Sequence, residues 1–159
     1  MARPSTQEQR RRDVVDAALE AAAEHGLRNL SLTDVANQAG VTRGALLYYY
    51  EDLDAILVEA HAAGMRRVGE ERKALVARAE HPAEQLAIAI RAGLPSGPDD
   101  ALMRLLYEFD VLAGKSPLHD ELVQRLYGEQ LGLYRRILEA GTASGDFALT
   151  GPIEDIAMN

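Results

Sequence analysis

Apolar residues recur at spacings of three and four along most of this chain, the period of helices with one buried face. Val15, Ala18, Leu19 and Ala22 make such a stripe between Gln7 and Glu24, and His25-Gly26 supplies the stop, with glycine in the position that ends helices. Ser31-Leu32-Thr33-Asp34 reads as a capping box, although Asp reaches back less well than Glu. It predicts a short helix carrying Leu32, Val35, Ala36 and Ala39, ended by Gly40. Thr42 can cap a further short helix from Arg43 to about Tyr49, and Asp52 caps a long one continuing through Arg78.

Further along, His81-Pro82 opens a helix to about Ala92, and LPSGP (94–98) interrupts the chain. Asp99 to Ala113 is apolar at Leu102, Leu105, Leu106, Phe109 and Leu112. Ser116-Pro117 opens a helix to about Ala143 with two apolar stripes. One is Leu118, Leu122, Leu126, Leu133 and Ile137; the other is Val123, Tyr127, Leu131, Tyr134 and Leu138. Two apolar faces imply two packing partners, such as the core and either a second subunit or a ligand cavity. Residues 150–159 read as the first turns of another helix, marginal unless packed, so the expectation is a C-terminus that is truncated. Helix, helix, tight glycine turn, helix over the first fifty residues is the spacing of a helix-turn-helix. The fold expected is therefore all-α.

Composition supports helix, because Ala, Leu and Glu are frequent while β-branched residues are sparse. The chain has no cysteine, which excludes disulfides and thiolate metal sites. Its four histidines, His25, His61, His81 and His119, form no HxxxH or HExxH pair, so no metal and no cofactor are expected. No GxGxxG, GxSxG or phosphate-binding loop is present, and an enzyme is not expected. Without a long uncharged apolar run or a signal-peptide pattern, the expectation is a soluble cytoplasmic protein with no membrane partner.

The net charge of −8 looks hostile to nucleic acid until it is divided. Residues 1–50 hold six Arg against six acids and are neutral; the remainder holds eleven bases and nineteen acids. Arg3, Arg10, Arg11 and Arg12 cluster at the start. One residue run needs explaining: Tyr48, Tyr49 and Tyr50 stand together, and three consecutive residues cannot all face inward on a helix.

SLTDVANQAGVTRGALLYYYEDLDAIL, Ser31 to Leu57, resembles the tetracycline-repressor (TetR) family of bacterial transcriptional regulators. The match lies in a Ser, an apolar-x-acid-Val-Ala run, AGVT, a basic residue, G-x-L and the aromatic positions that follow. The resemblance implies a three-helix DNA-binding domain over 1–51 and a helical ligand-binding and dimerisation domain over 52–159, possibly incomplete. It implies a nucleoid-associated repressor that binds a palindromic operator in double-stranded DNA as a homodimer, released by a small-molecule effector that tilts the 52–78 helix. An activator of the same family is the neighbouring reading. Two positions depart from the family pattern, Leu47 for the usual Tyr and Leu53 for the usual Lys. Both commonly meet the DNA backbone in the family, and they leave a rival open: a helical protein-interaction module with a degenerate helix-turn-helix.

On the resemblance, the free face of Arg43–Tyr49 enters the major groove. Arg43 reaches guanine or a phosphate, Gly44 and Ala45 allow close approach, and Tyr48 and Tyr49 offer hydroxyls to phosphates while Tyr50 turns to the core. Thr42 caps this helix beside the DNA, and Ser31 and Thr33 bind phosphate with the N–H groups of their own helix start. Candidate effector contacts are His61, Met65, Met103, Tyr107, Glu108, Tyr127 and Tyr134. Glu108, beside Tyr107 and Phe109, reads as a buried carboxylate in need of a partner, either a cationic ligand or an internal arginine such as Arg104 at i−4.

Overall fold

In the computed structural model, residues 6–113 and 117–158 are described, and among them every regular element is a helix. Arg3, Ser116 and the side chains of Leu112 and Leu118 lie outside the described residues. The helices are α1 (Thr6–His25), α2 (Leu32–Gln38), α3 (Arg43–Tyr49), α4 (Leu53–Val76), α5 (Pro82–Arg91), α6 (Ala101–Ala113), α7 (Pro117–Ser144) and α8 (Ile153–Met158). Their boundaries follow local chemistry. Asp52 accepts the Ala55 N–H at 2.8 Å to start α4, and Asp100, not Asp99, accepts the Met103 N–H at 3.1 Å to start α6.

The chain packs as two compact units, Met1–Gly64 with Asp100–Asp120, and Met65–Asp99 with Glu121–Asn159. Packing therefore divides inside α4 and α7, whereas the functional division expected from the resemblance lies at residue 51. The reason lies in α6, which packs on α1 and so joins the N-terminal helices.

In the first unit α1 buries Val14, Val15, Ala17, Ala18, Ala21 and Ala22, a face wider than the expected stripe, because α2 and α6 both pack on it. Leu27, Leu30, Val35, Ala36, Leu46, Ile56, Leu57, Leu105, Leu106 and Phe109 fill the rest of the core. Gly40 adopts φ 65°, the left-handed conformation that costs glycine least. Its N–H reaches the Asn37 carbonyl at 3.1 Å, and the Val41 N–H returns to Ala36 at 3.0 Å, closing α2 within one turn.

In the second unit Val76, Ala89, Leu133 and Ile137 form a core cluster, flanked by Leu86, Ile88, Tyr134 and Phe147. Of the two α7 stripes, Leu122, Leu126, Leu133 and Ile137 are buried. The second stripe is only partly covered: Leu138 is buried, Val123, Leu131 and Tyr134 are half-buried, and Tyr127 is exposed. The Phe147 ring sits where a side chain on Gly141 would be, 2.1 Å from a Cβ built there. Replacing Gly141 with Ala therefore displaces the ring, and we expect it to cost about 2 kcal/mol, read as a lower denaturation midpoint. A midpoint unchanged from the wild type would show that Phe147 contributes nothing to this core.

Candidate nucleic-acid interface

The second and third helices are too short to persist alone, at seven residues each. Capping and packing hold them. Ser31 closes a complete capping box: its hydroxyl oxygen accepts the Asp34 N–H at 3.3 Å, and its own N–H donates to Asp34 Oδ2 at 2.9 Å. The capping box is thus closed by Asp34 despite its shorter side chain, and the Ser31 hydroxyl also donates to Asp34 Oδ2 at 2.6 Å. These bonds, the hydroxyl's first and the backbone N–H's next, hold the Asp34 carboxyl below the usual carboxylate range. Thr42 caps α3 by accepting the Ala45 N–H at 3.2 Å.

Once capped, α3 is anchored by one side chain. Leu46 is fully buried, so the positions opposite it must face out. Thr42, Arg43, Gly44 and Tyr48 are exposed, Tyr48 at 81 %. Ser31 and Thr33, at the start of α2, are exposed as well. Ala45 and Tyr49 are half-buried and line, with Arg10 and Thr42, one depression beside α1. The Tyr48 and Tyr49 rings meet edge to face, centroids 5.0 Å apart. Leu47 is exposed too, an apolar residue on the same outer face.

Tyr50 turns inward, and a lock that sequence reasoning missed holds it there. Its hydroxyl donates to Glu59 Oε2 at 2.8 Å, and the Arg11 guanidinium lies 4.7 Å from its ring centroid. Arg11 forms an ion pair with Glu59 and also donates to the Tyr49 carbonyl at 3.4 Å. Burial and the bond to Glu59 push the Tyr50 phenol upward, and the bond to Glu59 raises Arg11. So α1, the end of α3 and α4 are tied at one point. Arg11 of the N-terminal arginine cluster is thereby tied down, whereas Arg10 and Arg12 remain exposed. No local signal marks this, because Arg11 and Glu59 are 48 residues apart.

The effector candidates do not form one group. His61 is fully buried and stacks on Phe109, rings 7° from parallel with centroids 4.8 Å apart. Burial, reinforced by neighbouring His119, pushes the His61 imidazole down to about 4. Met103 is half-buried, while Tyr107 and Glu108 are exposed. The reading of Glu108 as a buried carboxylate is corrected: Leu105, Leu106 and Phe109 take the inner face of α6 and leave positions 107 and 108 in water. In the second unit Met65 lines a small hollow, and Tyr127 and Tyr134 line a larger groove. Among the described residues no helix is long and apolar enough to cross a membrane, and no His, Asp or Glu cluster has metal-binding geometry.

Two capped short helices around a glycine turn, the second buried on one residue and bare on the other side, define an all-α helix-turn-helix protein. Residues 14–60 match the model of the bacterial regulatory proteins of the tetR family. That match spans the helix-turn-helix and its flanking helices and shows a tetR-type DNA-binding region there. It is 30 % identical over 87 residues to the HTH-type transcriptional regulator BetI of Agrobacterium fabrum, covering 55 % of this chain and 42 % of that one. The chain thus spans less than half the length of this curated relative. A TetR transcription regulator from Haloarcula marismortui has the same fold, with a TM-score of 0.83 at 17 % identity over 95 % of this chain and 79 % of that one. So does a transcriptional regulator from Saccharomonospora viridis in complex with choline, with a TM-score of 0.82 at 17 % identity and the same coverage.

Proposed function

We propose that this chain is a DNA-binding transcriptional regulator. It acts as a repressor, reading a palindromic operator as a homodimer and leaving it when a small-molecule effector binds. The observation that carries the reading is α3: Leu46 holds it from within, while Arg43, Gly44 and Tyr48 stand free in a family whose curated relatives are transcriptional regulators. One short helix covers only a few base pairs, so useful specificity takes two, set about 34 Å or more apart on a twofold axis.

In this reading Arg43 contacts a guanine edge or phosphate from the start of α3, and the Tyr48 and Tyr49 hydroxyls bind phosphate. Ser31 and Thr33 add phosphate contacts, and Ala45 packs near the bases. Exposed Arg10 and Arg12 concentrate positive charge at one end of an N-terminal region that is neutral as a whole. The effector works by binding the DNA-competent and incompetent states with different affinity. Choline bound to the S. viridis protein supports a ligand-responsive member of this fold, without naming the ligand here. Regulation of this kind needs no chemistry, and the chain is read as a binding protein rather than an enzyme.

Exposed Leu47 favours a second reading, in which the same helix docks on a protein instead of on DNA. Fluorescence anisotropy on the DNA upstream of the chain's own gene separates them. With about six phosphate contacts, affinity falls on the order of 10³-fold between 50 and 200 mM salt. No measurable binding at low salt, or affinity indifferent to salt, would sink the DNA-binding reading.

A further inference from the structure

The second unit buries a charge that none of its described residues pairs with. Arg72, on α4, is only 6 % exposed. Its Nε lacks a hydrogen-bond partner, and the guanidinium joins no ion pair among the described residues. It presses against the chain just after α5, where a Cβ on Gly93 would stand 3.0 Å from its Nη2. The two carboxylates that line the same hollow are otherwise engaged or turned to water. Glu70 lines the same hollow but pairs with Lys73 at 2.9 Å, and Glu129 is exposed. A buried guanidinium calls for a partner, and its planar fork matches a carboxylate in two parallel hydrogen bonds.

Space for that partner is present. Arg72 lines a hollow of about 50 Å³, room for a head group and little else. Gln130 lines both this hollow and a groove of about 500 Å³, and Gly93, against which Arg72 rests, lines the groove as well. The groove is walled mainly by Leu86, Ile90, Leu94, Leu131 and Leu138, and its size lies in the range of about 300–1,000 Å³ usual for small-ligand sites. Ile90 and Leu94 are exposed on its rim, and the incompletely covered second stripe of α7 forms its floor.

We infer that the second unit binds an amphipathic carboxylate, its head on Arg72 and its apolar chain along the Leu86–Leu138 groove. Gln130, at the junction, can donate its amide to the head group. A cationic ligand is repelled by the same arginine. Binding itself stands on this unit alone; only its effect on DNA affinity rests on the proposed regulator function.

Isothermal titration of the full chain with decanoate, beside decanol of the same length, tests this. Decanoate saturates one site, and decanol binds at least about tenfold more weakly, because it forgoes the charge-assisted pair. Arg72→Gln brings decanoate down to the decanol level. Leu94→Asp sets a negative charge at the exposed rim without touching the core, and it also weakens decanoate at least tenfold. It decides the matter even if Arg72→Gln fails to fold. Absence of saturable decanoate binding, equal binding of decanol, or variants that bind as the wild type does would each overturn the site. DNA anisotropy on the same preparation keeps the two readings apart. A chain that binds decanoate but no DNA upholds the site and overturns the regulator; one that binds DNA but no decanoate overturns the site.

Discussion

An Arg43→Ala, Tyr48→Ala double variant is expected to lose about 100-fold or more in operator affinity, since a good base or phosphate contact is worth about 1–3 kcal/mol. Both side chains are exposed at opposite ends of α3, and the helix is anchored by buried Leu46 rather than by either of them. Loss of affinity with an unchanged helical spectrum and melting midpoint is therefore loss of contact, not of fold. In the proposed twofold dimer each contact is removed twice, so the effect per operator exceeds that of a single head. The salt dependence should also become shallower, by about one unit of log-log slope for each phosphate contact removed. Arg135→Ala, an exposed arginine paired with Glu139 at 3.6 Å in the second unit, serves as the control and should bind like the wild type. If the double variant and the control bind alike, α3 is not the reading head, and exposed Leu47 becomes the better guide to what the helix meets.

The second large effect expected is on stability in acid. His61 is enclosed by Phe109 on one ring face and by His119, whose ring centroid lies 6.1 Å away. Neither imidazole has a hydrogen bond. Asp110 Oδ1 stands 3.7 Å from His61 Nε2, and Asp54 Oδ1 stands 3.5 Å from His119 Nδ1. In the folded chain His61 takes up its proton only at about pH 4, whereas in the unfolded chain it does so near its ordinary 6.5. Between those values the unfolded state binds the proton and the native state does not. Stability is thus undiminished above pH 6.5, falls as the pH drops below it, and the loss is complete near pH 4. At 1.36 kcal/mol per pH unit the full loss is about 3 kcal/mol, and about 2 kcal/mol of it falls between pH 7 and pH 5. Urea unfolding of the wild type and of His61→Leu at these two pH values isolates this group from the carboxylates that titrate alongside. Removal of the imidazole should shrink the pH dependence by that amount. An identical pH dependence in both proteins would mean that His61 titrates normally, and hence that water reaches it.

Much of the helix-turn-helix end is legible in the sequence. Ser31, Thr42 and Asp52 announce three helix starts, and each accepts the N–H expected of a cap. Leu46 inward and Tyr48 outward follow from the turn of a helix, and so does the sorting of three adjacent tyrosines. The outward placement of Glu108 is also readable, because Leu105, Leu106 and Phe109 already define the inner face of α6. Arg72 carried no such signal. It lies within GEERKA, a run that reads as solvated surface, and only the packing around Gly93 takes it out of water. Likewise nothing local foretells that Arg11 would join Glu59 and Tyr50, or that His61, Phe109 and His119 would stack.

Helix starts, stops and faces were determined by the sequence itself, since capping bonds, a left-handed glycine and a 3.6-residue period all act within one or two turns. Which charges lose their water was decided by the tertiary structure. Burial depends on surfaces brought together from distant parts of the chain, and the sequence near Arg11, His61 or Arg72 holds no record of them.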